Sequence, residues 1–374
     1  MKILQLIPTL DRGGAERQFI NLCVGLRRRG HCVHAILLTR TSDQEDELQQ
    51  AGVEVSLIGK HGKLDPFAFW KLCCEIRRFR PDVLHSWLFA GNCYGRAAGR
   101  ICRVEHIFAN ERCVDFWKSG WQFALDRILA QSCDAITTNS EAVASFYRDH
   151  GVNQAPWRVI PNGINMDRLV LKAGQEGRAA FLARLNLPED AKIVGCVARL
   201  WPQKRLKWAI WSLDVLRRVY KKAHLLILGD GPQRETLQRF SELYELNDFV
   251  HFLGVRDDTE SFLRHLDALW LTSLYEGQPN AVLEAMAMGT PTVCARIPGM
   301  ETIVEHETNG FLVDQNDITG FARWTHQMWS DPQKEARIRE NSRRTIERQF
   351  RLDAMVDAYE QLYVQRMQDG AERS

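Results

Sequence analysis

Residues 273–291 read SLYEGQPNAVLEAMAMGTP, and this stretch decides how the rest of the chain is read. The apolar run Ala268 to Thr272 just before it has the character of a buried strand in a parallel sheet. Asn280 reads as a helix N-cap, and Ala281 to Met288 supply strong helix formers for the turns that follow. A strand feeding a helix in this way leaves the N–H groups of Ala281 and Val282 pointing past the strand end. A phosphate belongs there. Glu276 on the loop and Glu284 one turn into the helix border that anion without touching it. Two readings of the pair stand at this point. Either Glu276 is solvated and Glu284 supports the helix N-terminus, or both accept hydrogen bonds from sugar hydroxyls.

The same alternation of apolar strand and helix-period segment runs the length of the chain. In the first half the expected strands are Ile3–Ile7, Val33–Leu38, Val53–Ile58, Val83–His85, His106–Ala109, Ala135–Thr138 and Arg158–Ile160. In the second half they are Ile193–Ala198, His224–Leu228, Phe249–Leu253, Ala268–Thr272, Thr292–Cys294 and Phe311–Val313. Alternating β and α of this kind predicts two Rossmann-like, doubly wound parallel sheets, so the fold class is α/β. At 374 residues the chain suits two domains, expected at 1–170 and 171–374. Their boundary is read at Leu169 to Glu176, where periodicity lapses. Two sheets facing one another would place the site in the cleft at their strand ends. Residues 333–367 read as two helices whose far end returns to the first domain.

Composition narrows the function classes. Hydrophobic content of 45% and charged content of 26% are those of a soluble globular protein, with fraying expected only at Gln368 to Ser374. Ten scattered cysteines with no C-x-x-C argue for a reducing compartment and against a zinc or disulfide framework. No apolar run approaches the roughly 18 residues of a membrane span, and Pro8 breaks the apolar start of the chain. Residues 1–170 carry a net +4 and residues 171–374 a net −2. The arginines at 27–29, 77–80 and 96–103 fall near the ends of expected helices, where cations are favoured. The alternative is a basic face that rests on anionic lipid or receives an acidic acceptor. Nucleic acid is not the expected partner, since no basic stripe with interleaved aromatics is present.

Three further strand-end loops are candidates for chemistry. Gly13 and Gly14 follow the first strand and open a helix, either as a plain turn pair or as glycines that let the backbone come close to a ligand. Arg199 and Lys204 flank a Pro202 loop after another strand and suit a diphosphate, one as a fork and one as a point charge. Gly229-Asp230-Gly231-Pro232 reads as a tight turn, either turn chemistry alone or one that shapes a nucleotide pocket at Gly231, and Val255 follows the next strand, where the same choice lies between a plain turn and backbone groups offered to a base edge.

Taken with Asn139-Ser140, Pro161-Asn162-Gly163-Ile164 and Asn309-Gly310-Phe311-Leu312, these features resemble the retaining family 4 glycosyltransferases of the GT-B fold. The resemblance implies a nucleotide-diphosphate sugar donor, with a UDP-sugar favoured. Arg199 and Lys204 would neutralise its diphosphate, helped by the Ala281 and Val282 amides and by the Gly13-Gly14 loop. Glu284 would accept the ribose hydroxyls, and Glu276 would contact the transferred sugar near the reacting carbon. Fixed cations and helix amides stabilise such a leaving group, so no metal or other cofactor is required. The sequence contains no Asp-x-Asp pair. Retention of anomeric configuration follows from the family, as does a hexose or N-acetylhexosamine passed to a saccharide or lipid-linked saccharide. The expected location is cytoplasmic, with peripheral contact at the inner face of the membrane through the basic first domain. Many relatives carry a His after a first-domain strand; here Glu111, followed by Arg112, holds that place, and His85 is the other catalytic candidate. The loop 112–120, with Phe116 and Trp117, is expected to face the acceptor. A second reading in a different class is a catalytically idle nucleotide-sugar binder that partners an active homologue.

Overall fold

In the structure, a computed structural model describing residues 1–174 and 176–371, all strand pairings are parallel. The first sheet contains β1 (Lys2–Thr9), β2 (Cys32–Arg40), β3 (Glu54–Leu57), β4 (Val83–Trp87), β5 (His106–Glu111), β6 (Ala135–Thr138) and β7 (Trp157–Val159). The second contains β8 (Lys192–Val197), β9 (Ala223–Leu228), β10 (Val250–Gly254), β11 (Ala268–Leu271), β12 (Thr292–Ala295) and β13 (Phe311–Val313). Each coincides with an expected apolar run to within a few residues. Every residue of β4, β5, β9, β11 and β12 is buried, as a parallel strand covered on both faces requires.

Strand order is 3-2-1-4-5-6-7 in the first sheet and 10-9-8-11-12-13 in the second. In each, the order reverses beside the first strand of the sheet. Those reversal points, β1 beside β4 and β8 beside β11, are where helices leave to opposite faces and where open α/β sheets bind ligands.

The chain divides into two units, Met1–Gly163 with Leu352–Ser374, and Ile164–Arg351. The division therefore falls at Gly163, ahead of the expected Leu169–Glu176. A helix, Met166–Ala173, covers most of the segment where periodicity lapses, capped by Asn165, whose side chain accepts from the Arg168 N–H at 3.0 Å. Gln175 lies outside the described residues. Gly163 is packed tightly within the first unit. A Cβ on Gly163 would lie 2.8 Å from the Leu352 Cα and 3.0 Å from the Met355 Cβ. Its amide and carbonyl are taken by the Gln18 side chain at 3.0 and 3.1 Å. Both of these neighbours belong to the first unit, because the last helix, Leu352–Ala371, buries Tyr359 and Tyr363 among Phe108, His85 and Trp87 of that sheet. The tail expected to fray begins inside this helix, and residues 372–374 lie outside the described residues.

Candidate active site

In the second unit the reversal point brings two loops together. After β8 the chain continues one more rung, with Ala198 N–H donating to the Leu228 carbonyl at 3.0 Å. It then exposes Arg199, buries Leu200, and turns through a short 3-10 helix at Pro202–Lys204. After β11 the second loop is tied to the first at three points. Thr272 Oγ1 donates to the Lys204 carbonyl (2.6 Å), Leu274 N–H donates to the Gln203 carbonyl (2.8 Å), and Lys204 Nζ donates to Glu276 Oε1. Ser273 Oγ also donates to Oε1, at 2.6 Å. Among the described residues Oε2 of Glu276 receives no hydrogen bond, so it keeps its acceptor capacity open.

Lys204, read with Arg199 as a strand-end cation suited to a diphosphate, shares its charge with Glu276, the two side chains being 16% and 11% exposed. Arg199 is exposed and has no carboxylate partner among the described residues. An ammonium has three donors, so Lys204 can hold Glu276 with one and meet an incoming anion with the others.

The helix after this loop is Asn280–Ala287, and its first turn also differs from expectation. Pro279 occupies the cap position and Asn280 is the first helical residue. The Val282 N–H is not left over, because it donates back to the Pro279 carbonyl at 3.1 Å, as does Leu283 at 3.3 Å. The tightened turn leaves Ala281 as the amide without a partner among the described residues, at the positive end of the helix dipole. Glu284 sits half-buried one turn further on, while Val282, Leu283, Ala285 and Met286 are buried in the core.

The Gly229–Gly231 turn holds the Arg199 loop in place. Gly229 has φ 128, and a Cβ there would fall 2.0 Å from the Ala198 carbonyl oxygen. Leu200 N–H donates to the Asp230 carbonyl (2.9 Å) and Gln233 N–H to the Leu200 carbonyl (3.1 Å). Gly231 was expected to face a nucleotide, yet what crowds it is the Leu200 backbone, 2.8 Å from where a Cβ would stand. Its close approach is to the loop that carries Arg199. Val255 follows β10 and is 58% exposed.

In the first unit, Gly13 is the N-cap of the helix Gly14–Arg28 in extended geometry (φ −146), directly beyond β1. The two catalytic candidates of this unit are both buried. His85 is fully buried in β4, with Nδ1 2.6 Å from the Tyr363 hydroxyl and Nε2 3.1 Å from Thr137 Oγ1. Burial pushes its pKa down to about 3, so it is neutral, and both ring nitrogens are engaged.

Glu111 ends β5 inside a buried charge cluster. Oε1 accepts from Asn92 Nδ2 (3.0 Å) and lies 3.5 Å from Lys118 Nζ, while Oε2 accepts from the Tyr147 hydroxyl (3.0 Å). Lys118 also reaches Asp126 (3.0 Å) and Asp115 (3.4 Å), and Asp126 binds Arg96 at 2.6 Å. Three carboxylates thus face two cations. Burial is the main cause that pushes Glu111 up to about 7, with Asp126 and Asp115 adding to it and Lys118 opposing. Glu111 is a support of the 112–119 loop; Lys118, Asp126, Arg96 and Tyr147 were not anticipated. Arg112, next in sequence, is buried over the Trp87 ring and donates to Asn162 Oδ1.

Residues 178–345 match the family model for glycosyl transferases group 1, and residues 12–168 match that for glycosyltransferase family 4. The chain belongs to the family 4 glycosyltransferases, and its fold is GT-B. It is 30% identical over 351 residues to a lipopolysaccharide core biosynthesis glycosyltransferase, LpsE, of Rhizobium meliloti, covering 94% of this chain and 95% of that one. It is 25% identical over 306 residues to the Escherichia coli UDP-Gal:alpha-D-GlcNAc-diphosphoundecaprenol alpha-1,3-galactosyltransferase, covering 77% and 76% of the two chains. Among solved structures, Anabaena Alr3699/HepE in complex with UDP-glucose superposes with a TM-score of 0.85 at 23% identity, covering 96% of this chain and 98% of that one.

Proposed function

We propose that the chain transfers a hexose or N-acetylhexosamine from a UDP-sugar to a saccharide or lipid-linked saccharide acceptor, with retention and without a metal ion. The observation that carries this reading is the bracing of the Arg199–Lys204 loop against the Glu276 loop at the β8/β11 reversal point, beside the Ala281 amide. The diphosphate would be met by the Arg199 fork, the remaining donors of Lys204 and the Ala281 N–H. Glu276 Oε2 would accept a hydroxyl of the transferred sugar, and Glu284 the ribose hydroxyls. Val255 would lie against the base.

In the transfer, the bond from the anomeric carbon to the diphosphate oxygen breaks as the acceptor oxygen bonds to that carbon. The acceptor proton passes to the departing diphosphate. Charge therefore builds on the leaving group, where the fixed cations are. The glycan-building activities of the relatives support a cell-surface saccharide as product, and the UDP-Gal donor of the Escherichia coli enzyme supports uracil. The exposed Phe116 and Trp117 would offer the acceptor a stacking face. No disulfide joins the described cysteines, which suits the cytoplasm, where the donor would be met.

Thermal unfolding with UDP, GDP and UDP-sugars, each with and without EDTA, tests the proposal. The midpoint should rise with UDP and UDP-sugars, equally in EDTA. A strict requirement for a divalent ion, or no response to any nucleotide, overturns it.

A further inference from the structure

The positive charge of the first unit is concentrated in one place. Residues 60–80 hold six Lys and Arg against two acids, a net +4, and residues 1–170 as a whole also sum to +4, so the remainder is balanced. Both acids are engaged locally. Asp65 caps the helix Pro66–Phe79, accepting from the Ala68 and His61 N–H groups at 2.9 Å each, and Glu75 takes Arg78 at 2.9 Å. Lys60 is turned inward to the Gly62 carbonyl, and Arg78 also binds Glu54 at 2.6 Å. Lys63, Lys71, Arg77 and Arg80 are exposed and have no carboxylate partner among the described residues.

The helix itself has two unlike faces. Ala68, Leu72, Cys73, Ile76 and Phe79 are buried against the sheet. On the opposite face Phe67 and Trp70 are 62% and 56% exposed, stacked at 5.6 Å, with Lys71 Nζ 4.8 Å over the Phe67 ring. Leu64, just ahead, is 89% exposed. An apolar, aromatic first turn continuous with a basic second half is the composition of a helix that lies in a lipid interface.

We propose that Lys63–Arg80 is a docking surface for a bilayer carrying anionic headgroups. Leu64, Phe67 and Trp70 enter the boundary between headgroups and acyl chains, and Lys63, Lys71, Arg77 and Arg80 meet lipid phosphates. A purely acidic soluble partner would account for the cations but not for three large apolar side chains held in water beside them. The surface deepens the transfer reading, since it would bring the enzyme to a lipid-borne acceptor, and rests on that reading for its purpose only.

Flotation with vesicles of phosphatidylcholine, and of phosphatidylglycerol and phosphatidylcholine at roughly 1:2, tests it on the full chain without donor or acceptor. The protein should float with the anionic vesicles. Phe67→Asn/Trp70→Asn and Lys63→Glu/Lys71→Glu should each lower the partition coefficient about tenfold, while Phe116→Asn/Trp117→Asn leaves it unchanged. All these residues except Lys63 and Lys71 are exposed aromatics, so the variants should keep the parent unfolding midpoint and its shift with UDP. That shift separates failure of docking from failure of the transfer reading. Absence of flotation overturns the proposal, as does loss with the charge variant alone, since the apolar side chains would then take no part in binding.

Discussion

Lys204 and Glu276 stand seventy-two positions apart in sequence and meet through a single oxygen, so one loop cannot move without the other. The pair neutralises itself until a more negative partner arrives. Glu276→Gln removes the charge that competes with the diphosphate for Lys204. UDP should then bind as tightly as before or more so, while turnover falls about a hundredfold because Oε2 no longer meets the sugar as an anion. Lys204→Ala should weaken UDP about tenfold. The double variant should lose less than the sum of the two in steady-state kinetics, since the residues act as a unit. Additive losses would mean the contact has no bearing on transfer.

Arg199 is the open cation, and the glycine turn holds it. Arg199→Ala should weaken UDP by about 2 kcal/mol, the worth of a charge-assisted fork, with little effect on stability. Gly229→Ala should do the reverse in order of cause. It forces a Cβ into the Ala198 carbonyl at a φ that side chains avoid, costing at least ~2 kcal/mol in unfolding free energy, and it weakens UDP by displacing the Arg199 loop. Calorimetric titration beside denaturant unfolding distinguishes the two variants.

His85 is buried with both ring nitrogens engaged, so its removal should cost stability rather than turnover. His85→Phe keeps the ring but leaves the Tyr363 hydroxyl, which still accepts from Gln5 Nε2, without an acceptor for its proton, so unfolding free energy should fall by about 2 kcal/mol. The folded fraction should bind UDP as the parent does and retain activity. A large loss of turnover per folded molecule would restore His85 to the catalytic list.

The strands were legible because each is a short apolar run between turn residues, and a parallel strand buried on both faces has little freedom to read otherwise. The loops after β8 and β11 were legible as candidate site loops because Arg199, Lys204 and Glu276 stand at strand ends. What could not be read was their pairing, which depends on β8 and β11 being neighbours at the point where strand order reverses. The Glu111 cluster was hidden for the same reason: Asn92, Asp126 and Tyr147 arrive from three helices, and no spacing in sequence marks them. The amide of Val282 was misread on a smaller scale, through a first turn that tightens onto Pro279.

That cluster has a pH signature of its own. Glu111 is raised in the folded state from 4.5 to about 7, so between those values the folded protein holds a proton that the unfolded chain has released. Its contribution is fully present below pH 4.5 and is lost as pH rises through 7, on the order of 3 kcal/mol. His85 acts in the opposite sense. Lowered from 6.5 to about 3, it makes the folded state less stable as pH falls below 6.5. The two partly cancel in the parent protein, so the comparison must be with Glu111→Gln, a neutral side chain of the same shape. The variant should match the parent near pH 5 and exceed its unfolding free energy at pH 8. Denaturant unfolding across pH 5 to 8 reads the difference, and parallel curves for the two proteins would show that Glu111 is ionised throughout.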